Sequence, residues 1–162
     1  MRAAPAVLAA LSVLALALPA AAGPTIAVPD LDFTDSSGEA RDQSAEHAEH
    51  LALFAGTLRA RLAEGGVTVV VPECACTPLT TPFAEMAAAT RAVGADLLLV
   101  GGIHKTSTLI GAAKVTLIDL DADKVVCTRM LSYRGDSAEA WTRAAEFAAA
   151  DVLRTCLPAP AS

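Results

Sequence analysis

The stretch that most constrains this chain runs from Gly94 to Arg134. Leu97-Leu98-Leu99-Val100 is short, continuously apolar and preceded by a glycine, the pattern of a strand buried on both faces just after a helix has ended. Gly101-Gly102 and His104-Lys105 follow, and the pattern then loosens. Lys114, Thr116 and the Asp121-Ala122-Asp123 turn interrupt apolar residues at alternate positions, so one face of this part meets water. Residues 95–134 read as three consecutive strands, one buried and two half-exposed.

The elements before and after can be placed around this meander. Residues 25–33 alternate and read as a first strand, bent or exposed at Pro29. An acidic loop over 34–43 leads to a helix over 44–63, capped by Ser44 or Asp42 and stopped by Gly65-Gly66. Val67 to Val71 is a β-branched second strand closed by Pro72. A second helix follows, with Thr81 as N-cap, Pro82 as its first residue and Gly94 as its stop. Asp136, with Glu139 three residues on, looks like a capping box for the last helix, whose apolar stripe includes Trp141, Ala145, Ala148 and Val152. The expected architecture is α/β with α+β character, βαβαβββα. Its five-stranded mixed sheet has the order 2-1-3-4-5, the first and last helices on one face and the second on the other. Strands two and five are then edges open to pairing across an interface.

Composition and the ends of the chain narrow the class. Residues 1–22 read as a cleaved signal peptide: Arg2, an uncharged apolar core over 6–18, and Ala20-Ala21-Ala22 before Gly23. That core is shorter than the roughly 20 residues a membrane span requires, so the expected product is an exported, periplasmic α/β domain over 23–157 with a disordered tail over 158–162. Without Arg2 the chain carries 11 basic and 18 acidic side chains. Such an acidic balance argues against nucleic acid and anionic membrane surfaces as partners.

Candidate chemistry gathers in the loops at the carboxyl ends of the parallel strands, where open α/β sheets bind ligands. Asp32, Asp35, His104, Lys105, Arg134 and Trp141 are the expected binding edge. His47 and His50, three apart on one helix, and the close pair Cys74 and Cys76 are candidate ligands for Cu or Zn; as solvated residues of a helix start and an inert loop bridge they need no metal. The Cys74-Ala75-Cys76 pair could also serve as a reducible disulfide. Cys127 and Cys156 both fall at the lower end of the topology and can bridge if the hairpin register turns Cys127 toward the last helix. Asp119, Asp121 and Asp123 do not form a calcium loop, since Lys124 and Met130 stand where a glycine and a glutamate are required. No nucleophile elbow and no phosphate-binding glycine loop is present.

The run from Gly94 to Gly101, and the first strand ending Asp32-Phe33-Thr34-Asp35, resemble the α/β domain of the TolB amino-terminal, CsgG-like and LpoB-like envelope proteins. More narrowly, Lys105 to Ile110 and Tyr133 to Trp141 resemble a secreted bacterial family known as domain of unknown function 2380/3280. The resemblance implies an adaptor that binds another envelope protein more than an enzyme, and no cofactor is expected beyond the candidate Cu or Zn. A metal-binding or thiol-redox accessory protein, for example one auxiliary to a periplasmic dehydrogenase, is the alternative.

Overall fold

The computed structural model describes residues 23–157; the expected signal peptide and the tail over 158–162 lie outside them. The elements are β1 (Thr25–Ala27), β2 (Asp32–Asp35), α1 (Ser44–Glu64), β3 (Thr68–Val70), α2 (Phe83–Ala92), β4 (Leu97–Ser107), β5 (Ile110–Asp119), β6 (Lys124–Arg134) and α3 (Ala138–Thr155). The sheet runs β3-β1-β4-β5-β6, with β2 also paired to β4. Pairings among β1, β2, β3 and β4 are parallel; β4, β5 and β6 form an antiparallel meander.

The first strand is the main correction. The expected single strand over 25–33 is two, because residues 28–31 leave the ladder around the buried Pro29 before the chain rejoins β4 further along, its pairing moving from Leu98 to Gly102 and on to Lys105. Arg59 of α1 occupies the break, donating to the carbonyls of Val28 (3.1 Å) and Pro29 (2.8 Å) and so satisfying backbone oxygens that have left the sheet.

Two layers of core sit on opposite faces of the sheet. On one, α1 and α3 pack Phe54, Leu58, Leu62, Ala145, Ala148 and Val152 against Ile26, Leu99, Ile103, Val115 and Leu117. Trp141 lies at the upper end of this layer, 1% exposed, with Phe33, His50 and Tyr133 rings 5.5–5.9 Å away. On the other face α2 covers a smaller cluster of Ala27, Cys76, Met86, Ala87, Leu98 and Leu120. Because α2 has only ten residues, it leaves the upper part of that face bare.

Cap positions also differ from expectation. Pro82, not Thr81, precedes α2; Thr81 Oγ1 instead accepts from the Thr77 N–H. Gln43 precedes α1, with Asp42 Oδ1 accepting from the Ser44 N–H. Ser137, not Asp136, caps α3, its hydroxyl accepting from the Ala140 N–H at 3.3 Å. The serine one residue on takes the cap, and the Asp136 carboxylate is left for a tertiary partner.

Candidate functional site

Strand geometry splits the expected binding edge in two. Successive residues of β4 point to opposite faces, so Lys105 enters the α1/α3 layer while His104 lies on the exposed side. The same alternation on β2 sends Phe33 and Asp35 inward with Lys105, and Asp32 outward with His104. Trp141 is core, and Arg134 is exposed at the end of β6. The six residues therefore do not make one surface.

The inward set forms an ion cluster. The Lys105 ammonium, 3% exposed, donates to Asp136 Oδ2 (2.6 Å) and Gln43 Oε1 (2.9 Å), and pairs with Glu39. His47 Nε2 lies 3.1 Å from Asp136 Oδ2 and its Nδ1 4.0 Å from Asp35 Oδ2. Trp141 Nε1–H donates to Asp136 Oδ1 at 3.0 Å. Burial opposes charge on both Lys105 and Asp136, yet each is held charged by the other. Hydrogen bonds and the charges of Asp136 and Glu39 raise the Lys105 pKa above the usual lysine value, and those from Lys105, Trp141 and His47 hold Asp136 below the usual carboxylate range. Asp35 is also lowered, chiefly by hydrogen bonds from Ser37. Burial, with the nearby Asp136 charge, pushes the Tyr133 phenol well above its ordinary value. With every ammonium proton directed at an acceptor, the cluster pins the 35–43 loop, β4 and the start of α3 together.

The candidate metal ligands are dispersed. His47 is bound into the ion cluster, and His50 is buried against Trp141 with its Nδ1 unpartnered. Cys74 and Cys76 are bonded to each other in the loop after β3, against the α2 cluster. Among the described residues no group of three or more His, Cys, Asp or Glu side chains is placed to hold a metal ion. Cys127 is bonded to Cys156 with Cα atoms 5.6 Å apart, tying β6 to the end of α3.

The outward set lines a cavity of about 480 Å3 with Leu79, Val100, Gly102, Lys114 and Met130. His104 Nε2 is 2.7 Å from Ser36 Oγ, and Asp32 Oδ2 accepts from the Leu79 N–H at 3.0 Å. Sequence reasoning missed Glu39 and Gln43 as partners of Lys105, and Lys114 and Met130 as neighbours of Asp32. The period of two along β4 was the available signal for the first pair; the second needs the register.

The model of the DUF3280 family, described as "Protein of unknown function (DUF2380)", matches residues 24–153. The chain belongs to this family. No curated protein matches this DUF3280 chain. Among solved structures it is similar to PelC from Paraburkholderia phytofirmans, crystallised as a dodecamer, at 17% identity and a TM-score of 0.54, covering 86% of this chain and 92% of that one. The hypothetical protein CT253 from Chlamydia trachomatis is similar at 11% identity and a TM-score of 0.55, covering 82% and 98%. TolB from Acinetobacter baumannii is similar at 15% identity and a TM-score of 0.49, covering 85% of this chain and 29% of that one. The DUF3280 fold is thus a small α/β architecture found in other bacterial proteins. No helix among the described residues is long and apolar enough to cross a membrane.

Proposed function

We propose that the chain is an exported, non-enzymatic component of the bacterial envelope that binds another envelope protein through the β6 edge of its sheet. The observation that carries this reading is β6. It is eleven residues long, pairs with β5 on one side only, and exposes Val125 and Val126. A long open edge with apolar residues is a template for strand addition. Beside it, a groove of about 220 Å3 runs between β6 and α3 and ends at Phe147, which is 58% exposed.

Charge narrows the partner. An antiparallel pair of two β6 strands centred on Arg129 would set Lys124 against Arg134, a like-charge contact that opposes it. The edge therefore suits a partner strand that carries acidic residues, and contacts between different surfaces, which build rings when they close. PelC is a dodecamer, so further copies of this chain are one partner to look for.

Photo-crosslinking in intact cells tests the reading. A photoreactive residue at Val126 or Phe147 should yield one discrete adduct, and one at Phe83 on α2 none. A mass at twice the protomer identifies a second copy, and any other discrete mass a different envelope protein. The same diffuse labelling from all three positions would sink the proposal.

One observation favours a second reading, a thiol-redox accessory protein: Cys74 is only half-buried within its Cys74–Cys76 bridge. Alkylation of the periplasmic protein before reduction would then find the two thiols partly free; a wholly oxidised pair rejects it.

A further inference from the structure

The sheet face opposite α1 and α3 carries a concave site that strand addition at β6 does not use. Above α2 lies the cavity of about 480 Å3, within the usual size range of small-ligand sites. The register sets its floor as a single row: Asp32 on β2 is partnered by Gly102 on β4, Gly102 by Lys114 on β5, and Lys114 by Met130 on β6. With neighbouring strands about 4.8 Å apart, the backbones of Asp32 and Lys114 stand about 10 Å from each other with only a glycine between them. A side chain at 102 would crowd the site, since its Cβ would lie 3.1 Å from both the Cβ and the carbonyl oxygen of Asp32.

The walls are apolar and the ends are charged. Leu79, 70% exposed, rises on one side, fixed by its N–H to Asp32 Oδ2; Met130, 73% exposed, closes the other. Among the described residues Lys114 has no hydrogen-bond or ion-pair partner, and Asp32 Oδ1 accepts no hydrogen bond. The cavity thus holds one carboxylate and one ammonium that do not reach each other. A purely anionic guest drawn to Lys114 would meet the Asp32 carboxylate, and a purely cationic one drawn to Asp32 would meet Lys114. Only a guest with both charges complements both ends.

We propose that this cavity binds a small zwitterion with an apolar body, of the class of the apolar α-amino acids. Its ammonium pairs with Asp32, its carboxylate with Lys114, and its side chain lies between Leu79 and Met130. Two charge-assisted hydrogen bonds of about 2.8 Å, together with the short span of the amino-acid head group, bridge the two side-chain tips.

The test uses three matched probes on the isotope-labelled full exported chain, followed through the amides of Gly102, Thr116 and Met130. These are L-phenylalanine, 2-phenylethylamine, which lacks the carboxylate, and 3-phenylpropionate, which lacks the ammonium. Phenylalanine should bind at least tenfold more tightly than either analogue. Lys114→Met should weaken phenylalanine at least tenfold and tighten phenylethylamine, which no longer meets a like charge, and Asp32→Asn should weaken phenylalanine and tighten phenylpropionate for the same reason. Lys114 makes no contact that the fold requires, so its variant keeps the test valid if Asp32→Asn unfolds. Equal binding of all three probes, no binding of any, or full phenylalanine affinity in Lys114→Met would each overturn the proposal.

Discussion

His104 and Lys105 are consecutive residues that live in different chemical worlds. Lys105 is enclosed by α1 and α3 and ringed by Glu39, Gln43, His47 and Asp136, whereas His104 stands on the uncovered face with Asp32 and Lys114. The closed face spends its charges on each other and holds loops in place. On the open face, Lys114 remains unpaired among the described residues. The difference teaches that charge density alone does not mark a binding surface in this fold; what matters is whether a helix covers it.

A large effect should come from breaking the closed face. Lys105→Met strands Asp136 and Glu39, and the lower end of the 3–5 kcal/mol range for a broken buried pair applies because both carboxylates keep some contact with water. A loss of about 3 kcal/mol in denaturant unfolding is expected. Lys114→Met, the matching change on the open face, should stay within about 0.5 kcal/mol, as surface substitutions do. Equal losses would erase the contrast between the faces.

The two disulfides offer a sharper comparison of regions. Cys127 and Cys156 are 29 residues apart and Cys74 and Cys76 only two. By chain entropy, opening the first through paired Ser substitutions should cost about 3–4 kcal/mol, and opening the second about 1.6 kcal/mol. Thermal melts of the two double variants check the order.

Acid should act on the closed face through Asp136. The folded-state pKa of Asp136 is lowered, so its contribution is present above the unfolded value, near about 3.9, and is lost as pH falls through the folded value. Lys105 has a raised pKa, so its contribution is present below about 10.4 and is lost only as pH rises through the folded value. Between these limits the contribution of these two groups should be flat. Below about pH 4 the Trp141 fluorescence, reporting the indole bonded to Asp136, should change before global unfolding in the wild type and not in Asp136→Asn.

A smaller effect than that of Lys105→Met concerns the end of the closed face. Ser137→Ala should lose about 1 kcal/mol, the usual value of an N-cap, without disturbing the Asp136 contacts. Asp136→Asn should cost more than this. The reverse order would mean that Asp136 acts as the cap after all.

Much of this fold was legible in the residues. The meander, the sheet order and the placing of α1 and α3 together follow from period, turn chemistry and the handedness of crossovers, each of which is written locally or by rule. The break between β1 and β2 was not legible, because Pro29 signals a bend without saying that Arg59, thirty residues away, will satisfy the freed carbonyls. For the candidate site, Asp32, His104 and Lys105 could be named, but as one edge rather than two faces.

By itself the sequence determined the inventory, apart from the division of the first strand: which segments become strands or helices, in what order, and that two strand edges would remain open. Only the tertiary structure decided which neighbours each charge would have. The physical reason is that a strand alternates its side chains with a period of two, so a polar residue's fate turns on register and on which face a distant helix covers. Asp136 shows it plainly: locally it reads as a helix cap, and it becomes the partner of Lys105 because Ser137 takes the cap and the fold delivers a buried ammonium within 2.6 Å.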